Sequence, residues 1–253
     1  MKLARDTCLV FGRYFSLFIH SPVWIAIGVA QPILYLTLFA PLLQPVAALR
    51  GFPQGGAYNV FVPGLLVQLA MFGAASVGFG LIAELRMGVV ERLRVTPVSR
   101  VALMFGRALR DVLSIIVQSL ILIVIALPFG LSINPTGIIV VLVLIGMIGL
   151  LTACIAYAVA LAVKSENTYA PIVFTSALPL LLLSGVLLPM SIAPRWLQII
   201  AELNPLLYAV DAARNVFLGN LSDPSVAKGV AILLVISVGA VIIGARQFNR
   251  AVA

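Results

Sequence analysis

The chain has 253 residues, of which 62% are hydrophobic and only 9% are charged. Soluble domains carry roughly 25% charged residues, so this composition excludes an ordinary soluble fold and indicates a protein whose solvent is lipid. The formal net charge is +8 at pH 7. The basic residues are clustered, which is typical of topology signals rather than of a nucleic-acid-binding face. Two cysteines in different surroundings and one histidine exclude a disulfide framework and a metal cluster.

The first unit, residues 2–20, is predicted to be an amphipathic helix lying in the membrane interface. Its apolar face carries Cys8, Phe11, Phe15 and Phe18 at helical spacing, and polar side chains mostly occupy the other face. A plain cytoplasmic extension of the first span is the alternative. The apolar run that follows this interfacial segment (residues 1–21) is long enough to span a membrane, so we predict a retained first span rather than a cleaved signal peptide.

Six apolar runs follow, each near the roughly 20 residues that a helix needs to cross about 30 Å of hydrocarbon. Short polar or Gly/Pro-rich stretches separate them, and Pro32 is expected to bend the first. The predicted fold is an all-α membrane protein with one transmembrane domain: an interfacial helix, six spans within residues 22–245, and a tail over 246–253. The predicted spans are Val23–Leu43, Tyr58–Ala83, Val112–Leu131, Gly137–Val163, Tyr169–Leu188 and Val226–Ala245.

The stretch from Ile82 to Asp111 carries six of the sixteen basic residues. A polar, basic island between two membrane-length runs is predicted to be a loop on one face of the bilayer. With six spans, this loop and both termini share one side, which then holds twelve of the sixteen Lys and Arg residues. The positive-inside rule therefore predicts that the loop and both termini are cytoplasmic, in a multi-pass protein of the cell membrane.

The segment from Pro189 to Pro224 is too polar for a plain span and too apolar for a plain loop. Its sequence predicts two short helices that enter the outer leaflet, with a break at Asn204-Pro205. Asp211 and Arg214 are three residues apart, close enough to pair on one helix face. We interpret them as a structural pair that holds the external helices, in preference to a substrate contact.

The predicted spans lack the combinations of side chains that catalysis requires. No phosphate-binding loop with its lysine occurs, and His20 lies at the predicted cytoplasmic edge. The central parts of the spans hold no acidic residue, which argues against proton- or sodium-coupled transport. We therefore predict a chain that is not an enzyme, and any energy that it uses must come from a partner.

Two motifs resemble those of ABC-2-type permeases, the membrane subunits of ABC exporters, and especially the daunorubicin-resistance-like branch. The first is ERLRVTPVSR, from Glu91 to Arg100. The second begins near Leu180 with LLLLSGVLLPMSIAP and ends in PLLY, five residues and Arg214. The resemblance covers the whole chain and implies a fold similar to type V ABC exporters. The short loop after the first span departs from the family because it leaves little room for an external domain.

This resemblance implies partners and a coupling segment. Family members pair with a second permease, a copy or a paralogue, and bind two cytoplasmic ABC ATPase subunits that hold the ATP and Mg. The expected cofactors of this chain are therefore none, and its expected partners are those subunits and membrane lipid, not nucleic acid. A short coupling helix is expected at about 90–96. The expected coupling residues are Glu91, Arg92, Arg94, Thr96, Pro97 and Arg100; alternatively, these arginines only set the topology.

A stripe on the second predicted span is the candidate substrate path: Phe61, Gln68, Phe72 and Phe79 lie on one helix face. In the family the second and fifth spans line the cavity between the two permeases. Ordinary helix packing or lipid contact explains the stripe equally well. We interpret the chain as the transmembrane permease of an ATP-driven exporter of a lipophilic drug-like or lipid-like compound. The alternatives are export of a lipid-linked saccharide or glycolipid, and an ATPase-independent channel or scaffold.

Overall fold

The computed structural model describes residues 2–20, 22–39, 41–42, 45, 56–89, 99–131, 134–187 and 189–251. Within these ranges the regular elements are helices, joined by short turns. A π-helical turn, Tyr35–Phe39, directly follows the helix Pro22–Leu34, and a 3₁₀ turn, Leu127–Phe129, directly follows the helix Arg100–Ala126. The α-helices longer than one turn are α1 (Lys2–Ile19), α2 (Pro22–Leu34), α3 (Gly56–Arg86), α4 (Arg100–Ala126), α5 (Pro135–Val163), α6 (Glu166–Leu183), α7 (Arg195–Ala201), α8 (Pro205–Phe217) and α9 (Pro224–Ala251).

Four helical stretches in the described residues are long and apolar enough to cross a membrane. They are Gly56–Arg86, Val101–Phe129, Pro135–Val163 and Pro224–Phe248, and each exceeds the roughly 20 residues required. They contain the second, fourth and sixth predicted spans and all of the third except its last two residues. These stretches confirm a helical, multi-pass membrane protein, and the count of six spans stays a prediction.

The first and fifth predicted spans are not among these four stretches in the part of the chain that the structure describes. The apolar helical stretch of the first is Ile25–Phe39, and the chain turns π-helical at Tyr35, three residues after Pro32. Pro32 lacks the amide proton that would bond the backbone oxygen of residue 28, so the regular hydrogen-bond ladder is already interrupted one turn before the π-helical turn begins. In the fifth, α6 begins with the polar Glu166 and contains two prolines, so its 18 residues carry a lower apolar content.

The basic stretch from Ile82 to Asp111 is not one loop, and in this respect the prediction is wrong. Its first residues continue α3 to Arg86, and its last twelve residues form the first three turns of α4. Ser99 caps α4, because its hydroxyl accepts a hydrogen bond from the backbone amide of Ala102 at 3.1 Å. Arg107 and Asp111 are buried within the bundle. They are tolerated there because each has an oppositely charged neighbour.

Helix α1 packs along the first turns of α4, and the interfacial position predicted for it stays a prediction. The side chains that it buries are Val10, Tyr14 and Phe18, whereas Cys8 is exposed. Gly106 makes this packing possible, since a Cβ at that position would come within 2.6 Å of Val10. The aromatic face that defined the prediction is partly exposed: Phe11 and Phe15 stack on each other with ring centroids 5.5 Å apart.

At the other end of the bundle, the predicted pair of short helices is present as α7 and α8, with Asn204 capping α8. Arg214 is buried and donates hydrogen bonds to the backbone oxygens of Val60, at 2.9 Å, and Gly185, at 2.6 Å. Asp211 lies farther away, with 3.9 Å between its Oδ1 and Arg214 Nη1. Burial lowers the pKa of the Arg214 guanidinium to about 10, partly offset by Asp211, so the group stays charged at neutral pH. Arg214 thus ties α8 to α3 and to the turn after α6.

Short turns connect the remaining helices. Lys164 ends α5 in the left-handed conformation, with φ of 54°. Asp223 accepts hydrogen bonds from the hydroxyl and amide of Ser225 at the start of α9, and these bonds lower the pKa of its carboxyl. Helix α9 continues to Ala251. Most of the predicted tail, residues 246–253, is therefore helical as far as the structure describes it.

Candidate functional site: a cavity with a charged floor

A cavity of about 1060 Å³ lies among α1, α2, α3, α4 and α6, with one residue of α5 at its floor. We call the end of the bundle where α3 ends and α4 begins the basic end. Polar and charged side chains line the cavity there, and mostly aromatic and aliphatic side chains line it farther from that end. The charged lining residues are Glu84, Arg107, Arg110, Asp111 and Glu166.

The first charged group of the floor joins three helices. Arg107 of α4 pairs with Glu84 of α3, and their side chains are only 8% and 22% exposed. Tyr14 of α1 donates a hydrogen bond from its hydroxyl to Glu84 Oε2 at 3.0 Å. The Arg107 guanidinium also lies over the Tyr14 ring, 4.7 Å from its centroid. Each of the three side chains therefore contacts both others.

The second charged group lies one turn along α4. The Asp111 carboxylate accepts hydrogen bonds from Arg110 and from the Tyr157 hydroxyl of α5. Asp111 is 4% exposed, and a carboxylate buried to that extent requires such partners. These contacts fix α4 against α5 at the cavity floor.

An exposed ion pair closes the same end of the cavity on its outer side. Arg86 Nη1 of α3 lies 3.1 Å from Glu166 Oε1 of α6, with the two side chains 54% and 40% exposed. Exposed pairs of this kind are worth about 0–1 kcal/mol. The contact between α3 and α6 at the basic end is therefore weak compared with the buried groups.

An aromatic wall joins α3 and α6 above the floor. Phe79 meets Tyr169 edge to face at 4.9 Å between centroids and lies 6.4 Å from Phe174. Phe72 stacks on Phe174, also at 6.4 Å. The Tyr169 hydroxyl donates to the backbone oxygen of Ala75 at 2.6 Å. This wall makes the cavity suited to the apolar part of an amphipathic molecule.

The structure separates the predicted substrate path into two parts. Gln68, Phe72 and Phe79 line the cavity. Phe61 does not: it is 1% exposed and packs against Phe39 at 5.5 Å. The four residues were grouped in the prediction because they share one helix face, but the cavity does not extend as far as Phe61.

Most of the predicted coupling residues lie outside the described residues: Glu91, Arg92, Arg94, Thr96 and Pro97, together with the expected short helix over 90–96. The structure places only Arg100 among this set, as the first residue of α4. The segment's two attachment points are nevertheless defined. It leaves from the last turn of α3 and enters α4, the two helices whose buried side chains form the cavity floor.

The floor residues Glu84, Arg107, Asp111 and Tyr157 were missed by the sequence analysis. One signal was available, since Arg107, Arg110 and Asp111 recur at spacings of three and four within a run of good helix formers. Their partners lie on α1, α3 and α5, and no local pattern reveals such pairs.

The comparisons with known proteins agree with this architecture. A model of the family described as "ABC-2 type transporter" matches residues 5–218. The protein ycf38 of Cyanophora paradoxa, named as a transport permease, is 29% identical over 217 residues, which cover 84% of this chain and 74% of ycf38.

Two further relatives bear names of drug resistance. The daunorubicin resistance ABC transporter permease protein DrrB1 of Streptomyces coeruleorubidus is 24% identical, over 82% of this chain and 73% of its own length. DrrC of Mycobacterium tuberculosis, named for doxorubicin resistance, is 24% identical over 85% of this chain and 77% of its own length. The chain therefore belongs to the ABC-2 type transporter family.

Proposed function

We propose that this chain is the transmembrane subunit of an ATP-driven exporter that moves a lipophilic drug-like or lipid-like molecule out of the cytoplasm or the inner leaflet. One observation carries the proposal: a cavity with an aromatic wall and a charged floor in a chain of the ABC-2 family. Phe72 and Phe79 offer apolar contact, while the polar floor accepts a head group. An amphipathic molecule matches both surfaces.

The energy for transport would come from two ABC ATPase subunits bound at the basic end, which hold the ATP and Mg. In this proposal a second permease, a copy or a paralogue, completes the transporter. The segment between Arg86 and Arg100 is the proposed ATPase contact, because it joins the two helices that form the cavity floor. Movement at that segment would reach Glu84 and Arg107 through one or two helical turns.

Replacing both Glu91 and Arg92 by alanine is expected to leave membrane insertion intact and to weaken ATPase association or uncouple hydrolysis from export. An exposed ion pair contributes only about 0–1 kcal/mol, so the double substitution and Pro97→Leu are sharper tests than a single one. Co-purification with the ATPase and ATP-dependent export in vesicles provide the measurements. Arg195→Ala is the control, since this exposed arginine lies on α7 at the opposite end.

If these variants bind the ATPase and export at the wild-type rate, the segment serves only to set the topology and does not couple the ATPase to transport. A wild-type chain that binds no ATPase subunit at all would instead favour the channel or scaffold alternative. Export of a lipid-linked saccharide, and not of lipophilic compounds, would favour the glycolipid alternative.

The proposed orientation places both termini and the basic end in the cytoplasm, as the clustering of Lys and Arg predicts. A cysteine introduced at Asn220 should then react with an impermeant maleimide added outside sealed cells, and one at Ser99 should not. The background needs Cys8→Ser because Cys8 is exposed. Labelling of position 99 from outside sealed cells would reverse the orientation.

A further inference from the structure

An unpaired amide oxygen lies in the cavity wall, deep in the bundle. Gln68 is 2% exposed, and its Oε1 accepts no hydrogen bond from any residue that the structure describes. Leaving a buried acceptor unpaired costs about 1–3 kcal/mol, and most buried polar groups in proteins are paired. Leucine would fill this position on α3 without that cost. The glutamine therefore needs an explanation other than packing.

A second glutamine faces the same cavity from α4. Gln118 is 8% exposed, and its Nε2 lies 3.5 Å from Ser114 Oγ, which is long for a hydrogen bond. Its amide group sits over Gly28 of α2, where an added Cβ would come within 2.7 Å of both amide atoms. The missing side chain at position 28 thus gives the Gln118 amide its space. Gln31, one helical turn farther along α2, lines the cavity as well.

These amides lie away from the charged floor. Gln68 is as many residues from Arg86, at the end of α3, as Gln118 is from Arg100, at the start of α4. At a rise of 1.5 Å per residue, each glutamine lies about 27 Å from the basic end, measured along its helix. Glu84 and Arg107, in contrast, lie within two helical turns of the basic end. The cavity therefore presents two polar surfaces, one charged at the basic end and one of neutral amides beyond it.

We propose that Gln68, Gln118 and Gln31 form a hydrogen-bonding subsite for an uncharged polar group of the transported molecule. Gln68 Oε1 accepts a hydrogen bond from a hydroxyl or amide N–H of the ligand, and the Gln118 and Gln31 amides offer donors and acceptors beside it. The inference rests on the proposed export function and narrows its substrates to lipophilic molecules that carry a neutral hydrogen-bond donor.

The first test needs no ligand. Gln68→Leu in the purified full-length permease is expected to raise the thermal unfolding midpoint by about 2–4 °C, because an apolar group replaces an unpaired buried acceptor. Gln198→Leu is the matched control, since Gln198 donates to the Ala193 oxygen and accepts from Arg195; no rise is expected there. A fall in the midpoint of Gln68→Leu would show that this amide is paired within the fold, and would overturn the subsite.

The second test uses two probes in vesicles that contain the permease and its ATPase. Daunorubicin carries hydroxyl groups, and tetraphenylphosphonium is lipophilic but has no hydrogen-bond donor. Gln68→Leu is expected to lower the transport efficiency for daunorubicin about tenfold, the equivalent of 1.4 kcal/mol, and to change that for tetraphenylphosphonium less than twofold. Gly28→Ala, which displaces the Gln118 amide, is expected to act in the same direction.

The outcomes separate the subsite from the export function. A wild-type complex that transports both probes, with no difference in Gln68→Leu, overturns the subsite alone. Equal losses for both probes indicate a packing role for Gln68 and overturn it as well. A wild-type complex that transports neither probe contradicts the proposed drug-like substrate, and the subsite in this form with it.

Discussion

Glu84→Ala is expected to destabilise the permease by about 3–5 kcal/mol, the usual cost of removing one partner of a buried ion pair. The change leaves Arg107, with a side chain only 8% exposed, without its counter-charge. The Tyr14 hydroxyl also loses its acceptor on Glu84. Thermal unfolding of purified variants in one detergent, with loss of the fully assembled fraction as a second readout, measures the effect.

Two companion variants make the result specific. Glu166→Ala breaks the exposed pair with Arg86 and is expected to cost no more than about 1 kcal/mol. The double variant Glu84→Gln with Arg107→Met removes both charges and is expected to recover most of the stability that Glu84→Ala loses. Similar losses for Glu84→Ala and Glu166→Ala would contradict the buried character of the floor.

Gly78→Ala is expected to disrupt the contact between α3 and α6 and to abolish most transport. A Cβ at this position would overlap the Tyr169 hydroxyl and ring, which pack against the backbone of α3. The Tyr169 hydrogen bond to the Ala75 oxygen would be lost with them. Overpacking of this kind costs about 1–3 kcal/mol or more. Helical glycine to alanine otherwise stabilises by about 1 kcal/mol. ATP-dependent export and thermal unfolding both report the change.

The matched control for Gly78 lies two residues away on the same helix. Gly80 has no atom within 4 Å of an added Cβ among the described residues, so Gly80→Ala should be neutral or slightly stabilising. Adding Tyr169→Ala to Gly78→Ala should restore part of the lost stability, because the overlapping ring is gone. Equal behaviour of Gly78→Ala and Gly80→Ala would show that the close approach does not matter for folding.

The sequence predicts helices best where packing and hydropathy agree. Long apolar runs without proline, such as Gly137–Val163, are helices with nearly the predicted bounds. The Asn204-Pro205 break and the two short helices around it follow from turn and capping chemistry, and the structure has them. In such places the local sequence contains nearly all the physical information.

Prediction failed where charges are satisfied at long range. Arg107 and Asp111 look like loop residues until Glu84 and Tyr157, from other helices, are placed beside them. The packing of α1 depends on a neighbour in the same way: Val10 is buried because Gly106 of α4 leaves space for it. The cavity boundary that excludes Phe61 also depends on a neighbour, Phe39. A single sequence therefore predicts which segments form helices, but it does not predict which side chains pair between helices.

The joint made by Arg214 has a consequence for how this family can diverge. Both of its acceptors are main-chain oxygens, those of Val60 and Gly185. A main-chain acceptor survives when its own side chain changes, so position 60 can drift among apolar residues without breaking the joint. Position 185 is limited only by its backbone, since φ is 74° there. The specificity of the contact resides in one guanidinium, and that single residue suffices to keep α8 attached to α3 in homologues that share little other sequence.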